Sequence, residues 1–269
     1  MKKNVKEYIE QKRWLKYVPN SLTLCNSLCG FASIIVALSY NNEQVLKEIP
    51  GSSIFILCSW LILGAMIFDC LDGFAARMLN AASMHGLQMD SLADMVTFGV
   101  APATLLTAMT YSLKTLDLRH SVLVWILAAV YLGGAALRLA TYNVHAILEK
   151  KSDDKFHGLP SPGAAAAICT TVLFYNAMGA DHNELWWVLP VYGAILGLLM
   201  VSPVRYLHVG KWLTSVPKSK RKIAVVLVFL ILAILYPAVT GFVFINAYIL
   251  FGILYTIWKS LRNSKQKEV

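Results

Sequence analysis

Long apolar runs broken by short polar stretches dominate this chain, and their length rather than their period sets the fold. Crossing a bilayer as a helix takes about 20 mostly apolar residues. Runs near that length occupy Leu22 to Tyr40, Ser53 to Met78, Ser91 to Leu113, Ser121 to Leu139, Ala164 to Met178, Leu185 to Val201, Ile223 to Tyr236 and Thr240 to Trp258. The fifth and seventh are the shortest. This pattern predicts an all-α polytopic membrane bundle of about eight transmembrane helices, because a lipid-exposed backbone must satisfy its hydrogen bonds within each segment.

Composition agrees. Of the 269 residues, 57% are apolar and 14% charged, against about 25% charged in soluble domains. The net charge of +9 raises nucleic acid as a partner, but its distribution excludes that reading. With the N-terminus cytoplasmic, 21 of the 24 Lys and Arg residues fall on the cytoplasmic side, leaving only Lys47, Lys114 and Arg119 outside. That asymmetry is the positive-inside pattern. It orients a multi-pass protein of the cytoplasmic membrane and makes membrane lipids its surroundings.

Residues 1–18 mix six basic residues with Val5, Tyr8, Ile9, Trp14 and Leu15. They read equally as an interfacial helix on anionic lipid or as a solvated basic tail. Ala37-Leu38-Ser39 resembles a signal-peptide cleavage site, yet the long charged lead-in argues against removal. The expected organisation is a basic segment at 1–18, a membrane domain at 19–259 and a basic tail at 260–269. Five cysteines, Cys25, Cys29, Cys58, Cys70 and Cys169, all lie in apolar runs without a Cys-x-x-Cys pair, and read as small hydrophobes.

Against this apolar background, Asp69, Asp72, Asp90 and Asp94 fall within 26 residues. An ionised carboxylate at membrane depth costs about 2.5–3.5 kcal/mol on insertion scales, so four together call for compensating positive charge. Asp69 and Asp72 are three apart near the end of the second span, and Asp90 and Asp94 four apart at the start of the third. Both spacings place side chains on one helical face, so a short connection makes the two pairs face each other across a hairpin. Oxygen-only donors suit hard cations such as Mg2+ or Mn2+, which share substrate phosphate oxygens. Gly73 and Ala76 open the backbone to a bulky group, and the planar fork of Arg77 suits phosphate, although an interfacial snorkelling role also fits it.

The pattern Asp-x2-Asp-Gly-x2-Ala-Arg-x8-Gly-x3-Asp-x3-Asp covers Asp69, Asp72, Gly73, Ala76, Arg77, Gly86, Asp90 and Asp94, and it resembles the CDP-alcohol phosphotransferase family. Further blocks resemble the membrane-integral branch of that family that uses serine: Pro19-Asn20 through Gly30, Asp94 through Ala103, Leu137-Arg138 through Asn143, and Phe156 through Gly163. The resemblance implies transfer of a phosphatidyl group from CDP-diacylglycerol to the hydroxyl of L-serine with release of CMP. It also implies a pair of divalent ions on Asp69, Asp72, Asp90 and Asp94, with Asp94 as the base, and a homodimer. By the same resemblance Gly73, Ala76, Arg77, Gly86, Thr23 and Asn26 meet the CDP-lipid. The chain departs from that branch at Thr141 and Tyr142, which stand where its usual pattern has Arg and Phe, and at Thr97, which stands where it has Ser.

Arg138 ends an apolar segment, after Gly133, Gly134, Ala135 and Ala136, small residues that permit close helix packing. A buried arginine there needs an anion, either the acceptor's carboxylate or Asp153, Asp154 or a lipid headgroup. Asn143 is either a polar contact to the acceptor or a helix-end residue. Gly158 to Gly163 cannot be helical throughout, and forms either a fixed loop over the site or an interhelical turn. Ser91 reads as a helix-start residue and His85 as a loop residue. Three rivals remain: transfer to glycerol phosphate, inositol phosphate or choline; an intramembrane prenyltransferase, whose acid motifs normally lie on separated helices; and a cation transporter, for which Gly73, Ala76 and Arg77 beside the acids would be ill suited.

Overall fold

The computed structural model describes residues 17–42, 51–79, 83–113, 116–148, 158–179, 185–204, 206 and 231–265. Among them every regular element is helical. In chain order these are α1 (Val18–Leu38), a 3-10 turn at Ser39–Asn41, α2 (Gly51–Met78) and α3 (Met84–Asp94). A π-helical segment at Met95–Val100 carries α3 into α4 (Ala101–Leu113), followed by α5 (Leu118–Leu148), α6 (Ser161–Ala177), α7 (Leu185–Val201) and α8 (Pro237–Lys265).

Five stretches among the described residues are long and apolar enough to cross a membrane: Val18–Leu38, Ser53–Met78, Met84–Ser112, Leu118–Val144 and Pro237–Arg262. The expected fifth and sixth spans are the shorter helices α6 and α7. The expected seventh falls largely on residues outside those described, as does nearly all of the 1–18 segment. The last helix runs to Lys265, so the basic tail expected from residue 260 begins as a continuation of α8. Mean hydropathy alone does not see this, because Lys259 and Arg262 lower the average without breaking the helix.

The third span begins earlier than its apolar run. Ser83 caps α3, its Oγ accepting from the Gly86 N–H at 3.0 Å, which is the ordinary N-cap chemistry of a serine. Asp90 and Asp94 therefore sit well inside a helix and not at its first residues, and both His85 and Ser91 are helical. The cap lies within the polar stretch that reads, by composition, as a connecting loop.

The bundle is organised around α6. From Ala164 to Leu173 every side chain is buried, which explains why this helix has no polar face: a helix apolar all round belongs in the interior. It packs on α2, α7 and α8. Pro162 occupies its first turn, where proline is tolerated, so the Gly158 to Gly163 stretch becomes helical from Ser161 onward. Before it, Gly158 donates to the Val204 carbonyl at 2.8 Å and Leu159 to the Leu199 carbonyl at 3.0 Å. Gly158 has φ +86° and lies so close to the Met200 carbonyl that a Cβ would overlap it. The segment is thus a fixed loop, tied to the end of α7.

Helices α5 and α7 meet backbone to backbone at Gly134 and Gly197, where a Cβ on Gly197 would stand 2.6 Å from the Tyr131 Cα. Gly133, one residue away, has nothing within 4 Å. Of the small residues expected to bring helices together, Gly134 and Ala135 are buried and Gly133 faces outward. Gly197→Ala should therefore lower the apparent Tm in detergent, by the equivalent of about 1–3 kcal/mol of overpacking, while Gly133→Ala leaves it unchanged. Equal melting of the two variants would show that this crossing is not tight.

Candidate active site

Three of the four aspartates converge across the hairpin. One carboxylate oxygen each from Asp69, Asp72 and Asp90 lies within 4.8 Å of the others, with α2 supplying two and α3 the third. Asp94, one turn beyond Asp90, stands apart from this triad but within hydrogen-bonding reach of Asp69. Three anionic groups this close repel one another strongly where water is scarce, so each needs donors or a cation. Asp72 is buried, and its Oδ2 accepts from the Thr23 hydroxyl at 2.8 Å. Asp94 Oδ1 accepts from the Asn26 amide at 3.2 Å. Asp90 Oδ1 is buried and has no hydrogen-bond partner among the described residues. A hard divalent cation fits this donor set: oxygen ligands only, converging from two helices, one of them otherwise unsatisfied.

Both donors come from one face of α1. Thr23, Asn26 and Gly30 follow at spacings of three and four, and all three are buried. Thr23 and Asn26, which the sequence associates with the CDP-lipid only through family resemblance, here contact the acids directly. Signals for this in the sequence are modest: polar residues at helical spacing within an apolar run.

The remaining positions of the motif lie around the acids. Arg77 is exposed, and its guanidinium folds back over Gly73, with Nη1 3.6 Å from where a Cβ on that glycine would stand. A Cβ at Gly73 would meet that guanidinium only in ordinary van der Waals contact. Ala76 is half-buried on the same helix end. Gly86 lies beneath Ser83 and α1, its Cβ position 3.7 Å from Asn20 Oδ1, so the start of α3 is seated against the start of α1.

Arg138 and Asn143 separate. Five residues apart on one helix, they point about 140° away from each other. Asn143 Oδ1 accepts from the Ser91 hydroxyl at 2.8 Å, which brings it against α3 beside Asp90. Ser91 is accordingly a mid-helix residue joining α3 to α5. A cavity of about 430 Å3 opens there, lined by Gln88, Ser91, Met95, Leu139 and Asn143 among others. Arg138 is half-buried on another face, its Nη1 3.2 Å from the Cβ position of Gly158, with Tyr142 and Tyr248 within electrostatic range.

The sequence gives no sign of the π-helical segment Met95–Val100 directly after Asp94. Such wide turns recur at functional sites. Thr97 Oγ1 donates to the Asn26 carbonyl at 3.0 Å, and the Tyr131 hydroxyl donates to the Phe98 carbonyl at 2.8 Å. Both anchors are fully buried.

Comparison with known proteins places this geometry. The sequence model of the CDP-alcohol phosphatidyltransferase family matches residues 16–199. A CDP-diacylglycerol–serine O-phosphatidyltransferase of Helicobacter pylori is 31% identical over 238 residues, covering 88% of this chain and 89% of its own. The enzyme of that name from Bacillus subtilis is 33% identical over 198 residues, 73% of this chain and 93% of its own. The one from Saccharomyces cerevisiae is 38% identical over 157 residues, which cover 56% of this chain and 52% of its own. The matched region contains α1, both acid-bearing helices, the π-helical segment and α5, and with them the contacts that Thr23 and Asn26 make to Asp72 and Asp94: this chain belongs to the CDP-alcohol phosphatidyltransferase family.

Proposed function

We propose that this protein transfers a phosphatidyl group from CDP-diacylglycerol to the hydroxyl of L-serine, giving phosphatidylserine and CMP. The observation that carries the reading is the convergence of Asp69, Asp72 and Asp90 within 4.8 Å at helix ends beside Gly73 and Arg77. Relatives named for this reaction cover most of the chain, and that supports serine over other alcohols.

In this reading Asp69, Asp72, Asp90 and Asp94 hold two divalent ions, Mg2+ or Mn2+, with the triad as the primary donors. When bound, the ions neutralise charge on the diphosphate and on the departing phosphate. The protein's own residues do the rest. Thr23 fixes the Asp72 carboxylate, and Asn26 orients that of Asp94. Arg77 and the open backbone at Gly73, Ala76 and Gly86 receive the CDP moiety. Asp94 accepts the proton of the serine hydroxyl as its oxygen attacks the phosphorus that carries diacylglycerol. The bond from that phosphorus to the bridging oxygen breaks, and CMP leaves with the electron pair. No covalent enzyme intermediate is needed.

Arg138 and Asn143 are the acceptor candidates, on different faces of α5. Asn143 is held beside Asp90 through Ser91, and Arg138 offers a cation to the serine carboxylate. The positive-inside pattern supports an active site facing the cytoplasm in the inner membrane, and family resemblance supports a homodimer.

Three outcomes test this. Asp69→Asn and Asp90→Asn should each abolish CMP release from CDP-diacylglycerol and serine in Mg2+ or Mn2+, with product lipids weighed by mass spectrometry against competing alcohols. Unchanged turnover, or a product other than phosphatidylserine, rejects the reading. Manganese titration followed by electron paramagnetic resonance should find two bound ions in the wild type and weakened binding in Asp90→Asn; identical binding curves would remove the triad as the metal site. Arg138→Ala should chiefly raise the serine KM, by about tenfold or more for a lost charge-assisted contact, and a defect confined to CDP-lipid affinity would assign Arg138 elsewhere.

A further inference from the structure

Three contacts on one face of α1 fall in line with three positions of the acid-bearing helices. The Thr23 hydroxyl reaches Asp72 at 2.8 Å, and the Asn26 amide reaches Asp94 at 3.2 Å. One turn further on, Gly30 sits against Thr97, where a Cβ would stand 2.5 Å from Thr97 Oγ1 and 2.8 Å from its Cα. Thr97 in turn donates to the backbone carbonyl of Asn26 at 3.0 Å. The side chain of Thr97 is therefore gripped between Asn26 and Gly30, one helical turn apart, and it is 0% exposed.

A grip of this kind fixes sliding. Helix α1 cannot move along its axis without breaking the Thr97 to Asn26 bond or driving Gly30 into Thr97. The same sliding would withdraw the Asn26 amide from Asp94 and the Thr23 hydroxyl from Asp72. Because Thr97 belongs to the π-helical segment three residues after Asp94, the pin and the carboxylate it serves lie on one rigid piece of backbone. That piece is held from its other side by Tyr131 through the Phe98 carbonyl.

We propose that Thr97 is a positioning residue, acting through Asn26: its hydroxyl sets the axial register of α1 and so the orientation of the Asp94 carboxylate. This rests on the role given to Asp94 above. Thr97 does not touch substrate. Its effect on catalysis is through geometry, to which transfer reactions are sensitive: a displacement of about 1 Å can cost two orders of magnitude in rate.

The test compares Thr97→Val, which keeps the shape and removes the hydroxyl, with Thr97→Ser, which keeps the hydroxyl. Thr97→Val should lower kcat by about tenfold or more while the KM for CDP-diacylglycerol moves less than about twofold, with the apparent Tm unchanged. Thr97→Ser should restore wild-type kcat. The proposal is overturned if Thr97→Val turns over normally, if Thr97→Ser is as impaired as Thr97→Val, or if the kcat loss tracks a loss of folded protein. A second readout needs no turnover. Nitroxides on Leu28→Cys and Leu92→Cys, both exposed positions, with Cys25, Cys29 and Cys70 replaced, report the distance between α1 and α3. Thr97→Val should shift or broaden that distance and Thr97→Ser should not. A wild type that releases no CMP rejects the proposed reaction, whereas an unchanged distance in Thr97→Val rejects the register pin whatever the wild type does.

Discussion

Mutual repulsion among carboxylates at the end of a membrane helix hairpin is the constraint around which this structure is arranged. Asp69, Asp72 and Asp90 present oxygens within 4.8 Å of one another, and Asp94 approaches Asp69. An apolar bundle gains nothing from such an arrangement by itself: buried charges are costly unless paired and hydrogen-bonded. Hydrogen bonds from Thr23 and Asn26 satisfy one oxygen of Asp72 and one of Asp94. They leave the Asp90 oxygen for a cation. The first helix is thereby more than a membrane anchor, since its buried face carries two side-chain donors to the acids, Thr23 and Asn26, and fixes where Asp72 and Asp94 point.

Much of this is legible in the chain itself. Eight acid and spacing positions, from Asp69 to Asp94, fix a hairpin with two facing pairs because helical periodicity leaves little choice. The apolar runs give the helices, and the structure agrees with them wherever it describes them. Boundaries are less legible. Ser83 starts α3 inside what composition reads as a loop, since a single capping hydroxyl outweighs the polar character of its neighbours. Lys259 and Arg262 do not end α8, because long basic side chains at a membrane interface keep their charge in water while the helix continues.

What sequence does not reveal is contact between elements distant along the chain. Thr97 draws notice only as a departure from the usual pattern of the branch it resembles, Ser91 only as a helix-start residue, and Tyr131 draws none. Their roles depend on the π-helical segment and on the crossing of α5 with α3, neither of which leaves a periodic trace. Arg138 and Asn143 are instructive in the opposite sense. Neighbourhood in sequence invites a shared role, but five residues along a helix turn them to different faces, so that Asn143 meets Ser91 while Arg138 meets the Gly158 loop.

The wide turn after Asp94 explains why small residues cluster where they do. A π-helical segment changes the direction in which everything beyond it faces, and a turn of that kind is held only if its surroundings fix it. Here Gly30 yields space to Thr97, Gly99 lies against Leu132 and Ala135, and Tyr131 takes the Phe98 carbonyl. The first of these contacts is with α1 and the other two are with α5. The segment therefore couples the helix that orients Asp94 to the helix that carries Arg138 and Asn143. In the reaction proposed above, that coupling would hold Asp94 and the acceptor candidates on α5 in one fixed arrangement, the condition under which a positioned group accelerates transfer.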